Sequence, residues 1–359
     1  MKNTHRQARG NATIYNKTLQ SDPSPSHTFK QPEYAQRNLM NDSHGKTQVK
    51  KSIDRRPFIT VNTKGRLGNK MFEYAALLGI ADTNNFVPVL PKQMENLKRV
   101  FNVTAQVSDN KLRFIQYAEF HQKKPHNQSF DRDTGNLQRN NTNLTGYFQS
   151  WKYWIHIETQ IRNEFQFQHD IQQEAESYIN MIRAKQFGAK NNIVIGIHAR
   201  RGDFLSKESN RTGRAPSHAS YFRNAMNFYH NKFVANDSSL FENNNRTQLI
   251  YIVASDAIRW CKSNIQGDNV FYSEGHDAAV DLAILSMCDH MIMSGGTFGW
   301  WASFLSNGTV TYDPLTVRPG SIKFRAINPD EYYMPHWIPL QSNISETTVI
   351  PKLTTMVGQ

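Results

Sequence analysis

Ile193-Val194-Ile195-Gly196-Ile197 runs without a break into His198-Ala199-Arg200-Arg201-Gly202-Asp203. A continuous apolar run of this length suits a strand buried on both faces, as in a parallel sheet. The sudden change to charge marks the strand's carboxyl end. The pattern recurs downstream: Leu249-Ile250-Tyr251-Ile252-Val253-Ala254 leads into Ser255-Asp256, and Met291-Ile292-Met293 into Ser294-Gly295-Gly296-Thr297-Phe298-Gly299. Val270-Phe271 and Val310-Thr311-Tyr312 read as shorter strands of the same kind. Helices fit the intervals: Ser220–Tyr229, a helix capped by Ser255-Asp256 through Trp260, Asp277–Cys288, and one around Trp300–Leu305. The Asp277–Cys288 segment carries Val280, Ile284, Met287 and Cys288 on one stripe. Strands alternating with helices predict a doubly wound parallel sheet.

Upstream the signal is weaker. Phe58–Asn62 is β-prone, Thr63–Asn69 is a glycine-containing turn, and Lys70–Ala81 has helical spacing at Met71, Tyr74, Ala75 and Leu78. Together they suggest one βα unit, with Val87–Leu90 as the next strand and Ile171–Ala184 as a helix. Residues 100–145 show no clear period: Phe101, Phe114, Ile115, Tyr117 and Phe120 are scattered among polar residues. The 359 residues fit two domains of roughly 150 each. The expected division is a flexible basic stem over 1–56, an N-terminal α/β domain over 57–190, a C-terminal α/β domain over 191–345, and a tail over 346–359.

Charge supports that division. Residues 1–56 carry eleven Lys/Arg against four Asp/Glu, a surplus of seven out of a net +12 for the chain. The surplus lies in an Asn-, Gln-, Ser- and Pro-containing segment without period, which suits a tether better than a nucleic-acid-binding surface. Nucleic acid is therefore not an expected partner. Two cysteines, Cys261 and Cys288, exclude a disulfide scaffold and a thiolate-built structural zinc site. No apolar run reaches the roughly 20 residues of a membrane helix. Twelve Asn-X-Ser/Thr triplets, from Asn11 to Asn343, favour a secretory-pathway lumen. The two observations together predict that any membrane attachment is through an anchor outside this sequence.

In open α/β sheets ligands sit beyond the carboxyl ends of the strands, so His198–Asp203, Ser255-Asp256 and Gly295–Gly299 should converge. Adjacent guanidiniums at Arg200 and Arg201 call for an anion, and a diphosphate matches their planar fork. Gly296 and Thr297, entering a helix, offer backbone N–H groups to a phosphate. Asp256 could accept hydrogen bonds from a base or ribose. Each feature also has a plain structural reading: surface ion pairs for the arginines, a helix cap for Ser255-Asp256, a hydrogen-bonded structural role for His198. Trp300-Trp301 and Tyr147–Trp151 read as core rather than as sugar-stacking platforms. No HExxH, Walker loop or GxGxxG is present, and the residues alone define a nucleotide-binding α/β enzyme.

Taken in order, these blocks resemble a known family. Gly65-Arg66-Leu67-Gly68-Asn69-Lys70-Met71-Phe72-Glu73-Tyr74-Ala75 is similar to the opening motif of the galactoside α-1,2-fucosyltransferases. His198-Ala199-Arg200-Arg201-Gly202-Asp203-Phe204 resembles their H-x-R-R-G-D-[YF] motif, and Asp281–Ala302 their C-terminal signature. The similarity spans about residues 57–315 and departs at Lys70, where the family usually has Gln. It implies a GT-B-like fold, two Rossmann-like domains facing a cleft, and inverting transfer of fucose from GDP-β-L-fucose to a galactose-terminated glycan. It also implies a Golgi lumenal enzyme working without a metal or other cofactor. By the same resemblance Arg200 meets the donor diphosphate with Arg201 or Arg66 assisting. Arg66 and Asn69 lie near the reaction centre, and Ser255, Asp256, Gly296, Thr297 and Phe298 contact the donor. Asp203, then His198, are the candidate bases. Transfer to a protein hydroxyl or core glycan, or catalytically silent binding of sugar nucleotide or glycan, are the alternatives.

Overall fold

The computed structural model describes residues 55–108, 116–123, 128–185, 191–235 and 247–340. The expected stem, apart from Arg55 and Arg56, lies outside these residues, as do the tail over 346–359, Phe114 and Ile115.

Two parallel sheets carry the fold. In the first, β1 (Phe58–Asn62), β2 (Val87–Leu90), β3 (Gln106–Val107), β4 (Ala118–His121) and β5 (Thr142–Thr145) stand in the order β3-β2-β1-β5-β4. In the second, β6 (Asn191–Ala199), β7 (Thr247–Ser255), β8 (Val270–Tyr272), β9 (His290–Met293), β10 (Val310–Tyr312) and β11 (Ile338–Pro339) stand in the order β11-β10-β9-β6-β7-β8. The α-helices of five or more residues are α1 (Leu67–Asn84), α2 (Glu158–Glu164), α3 (His169–Lys185), α4 (Lys207–Thr212), α5 (Ala219–His230), α6 (Ile258–Asn264), α7 (Ala278–Ser286), α8 (Gly296–Ser306) and α9 (Ile322–Ala326). The α/β class and both Rossmann-like sheets are as the sequence predicts.

The second sheet follows the apolar runs closely, because β6 and β7 are central strands covered on both faces. Helices α5 and α6 cover one face through Tyr221, Phe222, Ala225, Tyr229 and Cys261, all buried. On the other face lie α7 and α8. Cys261 and Cys288 are both buried and unpaired. The first sheet departs more from expectation. Its β5, Thr142-Asn143-Leu144-Thr145, contributes only Leu144 as an apolar residue and alternates buried with half-buried positions. Such a strand carries no apolar run to read.

Helix α1 also differs from its predicted stripe. Every residue from Met71 to Ala81 is buried, Glu73 included, as expected of a helix enclosed on all sides. It ends at Asn85, whose left-handed φ of 57° lets its N–H cap Ala81 and Asp82. Its inner face meets α8: the Phe72 ring lies 4.7 Å from Trp300 and 5.0 Å from Trp301. Trp154 stacks on Trp301 at 5.4 Å, and Phe165 meets the same indole edge-on at 4.9 Å. Trp300 and Trp301 are fully buried, so both indoles are core. Truncating such a side chain to Ala costs about 3–5 kcal/mol. This seam joins the two sheets into one apolar cluster.

Candidate active site

The register of the second sheet builds the site. Ala199 pairs with Ser255 and His198 with Met293, so the residues leaving β6, β7 and β9 emerge side by side. The Ser294 hydroxyl accepts from Arg200 N at 2.7 Å, and the Ser255 hydroxyl donates to Ala199 O at 2.6 Å. These bonds fix the start of the Arg200 turn to both neighbouring strands.

Arg200 reaches into a cleft of about 580 Å³ lined from both sheets. Its Nη1 lies 2.7 Å from Asp256 Oδ2 and its Nη2 2.6 Å from Asp203 Oδ1. One guanidinium thus sits between two carboxylates. Asp256 does not cap the following helix, which starts later with Ala257 as its N-cap. Its Oδ1 instead accepts from Arg201 N at 2.9 Å and Gly202 N at 3.1 Å. Burial would raise the Asp256 carboxyl, but those two N–H groups and the Arg200 guanidinium outweigh it and hold the group below its ordinary range.

The expected arginine fork is divided. Arg201 is absent from the cleft lining: its guanidinium lies 3.5 Å from the Trp260 ring centroid and donates to Ser217 O at 2.9 Å. Alternation along an extended turn sends neighbouring side chains to opposite sides, which separates the two charges. His198 is 4 % exposed. Burial, followed by the Arg200 charge, pushes its imidazole down to about 4, so it is neutral at neutral pH. A Cβ at Gly299 would come within 2.4 Å of its Nδ1, and Phe298 packs 5.2 Å from its ring.

The glycine turn after β9 opens α8 with Gly296 at φ +80°, a left-handed conformation suited to glycine. Gly296, Thr297 and Phe298 line the cleft, as do Arg66 and Asn69 at the start of α1. The two helix starts touch. Asn69 Oδ1 accepts from Thr297 Oγ1 at 2.9 Å and from Gln149 Nε2 at 3.0 Å. A Cβ at Gly68 would sit 2.7 Å from Phe298 N, so only glycine permits this approach. Lys70 points elsewhere: its ammonium donates to Gln93 O at 2.9 Å and Asn96 Oδ1 at 3.0 Å.

Several contributors escape sequence reasoning. Asp281 lines the cleft with its Oδ1 accepting from Ser273 Oγ at 2.6 Å, and burial raises its carboxyl. Tyr147 and Gln149 line it too, so part of the Tyr147–Trp151 cluster belongs to the site rather than to the core. Glu73, fully buried, accepts from Thr63 Oγ1 at 2.6 Å and Lys64 N at 3.0 Å, beneath the turn that carries Arg66. Burial pushes its carboxyl up to about 7. The available signal for Glu73 is a single acid within the otherwise apolar run from Met71 to Ala81. Among the described residues, no three His, Cys, Asp or Glu side chains gather into a metal-holding group.

Two parallel sheets turning their strand ends onto one cleft, with helix starts, a carboxylate-flanked arginine and a buried aromatic seam, define a double-Rossmann α/β protein. The chain belongs to glycosyl transferase family 11, whose model matches residues 29–341. It is 29 % identical to galactoside alpha-(1,2)-fucosyltransferase 2 of Bos taurus over 80 % of each chain. It is 30 % identical to galactoside 2-alpha-L-fucosyltransferase SEC1 of Bos taurus, over 80 % of this chain and 75 % of that one. Among solved structures, fucosyltransferase NodZ from Bradyrhizobium superposes with a TM-score of 0.47 at 13 % identity, over 82 % of this chain and 99 % of that one.

Proposed function

We propose that this protein transfers L-fucose from GDP-β-L-fucose to the 2-hydroxyl of a terminal galactoside, with inversion. In this reading residues 191–345 hold the donor and 57–190 form the acceptor side. The observation that carries it is Arg200, fixed at the end of a central strand and turned into the cleft beside the Gly296-Thr297 helix start. Breaking the bond between fucose C1 and the phosphate oxygen leaves the electron pair, and a further negative charge, on GDP. Arg200 and the backbone N–H groups at the start of α8 stabilise that charge as it develops, with Arg66 assisting from α1. Thr297 and Phe298 hold the phosphate end; Asp256, Ser255 and Asp281 border the nucleoside end. Arg201 serves by anchoring the turn on Trp260.

The galactose oxygen attacks C1 from the face opposite the diphosphate, which inverts that centre. Its proton passes to a carboxylate or to solvent. Asp203 remains the first candidate: it is partly exposed at the cleft, with Oδ1 on Arg200. His198, buried and weakly basic, takes second place. Asn69, tied to Thr297 and Gln149, places the two halves of the reaction centre in register.

The family and the sequon-rich sequence support a Golgi lumenal location. Among the described residues no helix is long and apolar enough to cross a membrane. The decisive experiment is a donor–acceptor screen of the purified protein with labelled GDP-fucose, with and without chelator. Transfer to a terminal galactose, with the linkage read by NMR, supports the proposal. Binding of GDP without transfer or donor hydrolysis on any galactoside overturns it.

A further inference from the structure

Two further cations face the same cleft. Arg214 and Lys323 line it with Phe204, Gln128, Ile327 and Tyr332. Lys323 sits on α9, which follows β10, whereas Asp256 and Asp281 follow β7 and β8. Those strands stand on opposite sides of β6 in the sheet order, so the pair occupies the side of the cleft away from the nucleoside end. The N-terminal half crosses here: Gln128 bridges Ile327, and its N–H donates to Ala326 O at 3.0 Å.

The electrostatics of this wall differ from those at Arg200. Both side chains are half-buried, and Arg214 lies over the Phe204 ring at 5.4 Å. Among the described residues neither cation has a carboxylate within ion-pair distance. The acids nearby are already held. Glu208 binds Arg211 through bonds of 2.8 and 2.7 Å, and Glu331 meets Lys152 at 3.2 Å and Phe130 N at 2.9 Å. Burial, together with the Arg214 charge, pushes the Lys323 ammonium below its ordinary range. The Tyr332 hydroxyl, buried on the same wall beside Gln128, lacks a hydrogen-bond partner of good geometry. Two like charges partly withdrawn from water repel unless an anion joins them. Arg200 has two carboxylates beside it; among the described residues Arg214 and Lys323 have none within ion-pair distance.

We propose that Arg214 and Lys323, although carried by the donor half, form an anion subsite at the end of the cleft away from the nucleoside, where Gln128 of the N-terminal half crosses, and that it receives a carboxylate or sulfate carried by the acceptor glycan. This rests on the fucosyl-transfer reading and adds to it the chemical class of acceptor. The guanidinium fork takes two oxygens of the anion; the ammonium takes the third terminal oxygen of a sulfate or shares one of the two oxygens of a carboxylate, and Tyr332 can donate beside them.

Calorimetric titration of GDP-saturated protein with three matched galactosides, neutral, carboxylated and sulfated, tests this without requiring turnover. At least one anionic member should bind about tenfold tighter than the neutral one, the scale of one charge-assisted hydrogen bond. The carboxylated and sulfated arms identify which anion is taken. The preference should shrink as salt rises. It should vanish in Arg214→Met and Lys323→Met and survive in Arg214→Lys and Lys323→Arg, with GDP affinity unchanged throughout. Equal binding of all three glycans, or a preference that survives both Met substitutions, overturns the subsite alone. Loss of GDP affinity in variants that still melt like the parent assigns the pair to the donor and overturns it too. If GDP binds but no galactoside does, whatever its charge, the transfer reading falls and the subsite with it.

Discussion

The two sheets serve the cleft by different means. From the second, nine-residue strands β6 and β7 pair along their whole length, and Arg200 and Asp256 emerge where the ladder ends. Their positions are set by backbone register. Strands of the first are two to five residues long, and what it contributes arrives on turns held by side chains: Glu73 beneath Thr63 and Lys64, Asn69 against Thr297 and Gln149. The Arg200 and Asp256 charges therefore come from rigid strand ends, and alignment from locally tied turns. Substitutions behind the cleft should matter more on the first side than on the second.

The largest expected effect tests the strand-end side. Arg200→Ala should lower kcat for fucosyl transfer at least about 100-fold, the scale for one preorganised charge-stabilising donor, in a steady-state assay with GDP-fucose. Near-normal turnover would break the assignment. Next comes the seam between the helix starts. Gly68→Ala places a Cβ 2.7 Å from Phe298 N and should cost roughly 10- to 100-fold in kcat/KM by misaligning the halves, with GDP affinity retained in a thermal-shift titration. Equal losses of GDP affinity and rate would show that the seam serves the donor alone.

Arg201→Ala sharpens the comparison from within one motif. Because that guanidinium lies on Trp260, kcat should fall by less than about tenfold, well short of the Arg200 effect. A loss equal to that of Arg200→Ala would restore the paired fork. The smallest effect concerns Glu73. Its folded value near 7 lies above the ordinary 4.5, so the native state holds this proton more tightly than the unfolded chain. Stability from this group is complete below pH 4.5 and is lost as pH rises toward 7. His198, depressed to about 4 from 6.5, acts oppositely: its contribution is lost as pH falls from 6.5 toward 4. The two slopes offset each other in the parent, so the informative quantity is the difference in Tm between Glu73→Gln and parent. That difference should move in favour of the variant from pH 5 to pH 7. A constant difference would remove Glu73 as the titrating group.

Where the sequence could be read, it was because one physical cause dominated. Strands covered on both faces must be apolar throughout, so β6, β7 and β9 declare themselves, and parallel packing places their polar sequels together. Strand β5 meets the core through Thr142 and Leu144 alone, and composition cannot reveal it. The seat of the cations was hidden differently. Arg200 and Arg201 are neighbours in the chain but not in the cleft, since successive side chains diverge; Arg214 and Lys323 are far apart in sequence and share a wall. Asp256 reads as a helix cap until the register shows that its carboxylate reaches across to the next strand's turn.

Phe72, seated against Trp300 and Trp301 with Trp154 and Phe165 around them, has one more consequence. A jaw that opened between the halves would wet five large rings at once, a large cost to meet on every turnover. On the fucosyl-transfer proposal, the cycle is then expected to run on movements at the rim rather than on opening of this seam. Small-angle scattering should give the same radius of gyration with and without GDP.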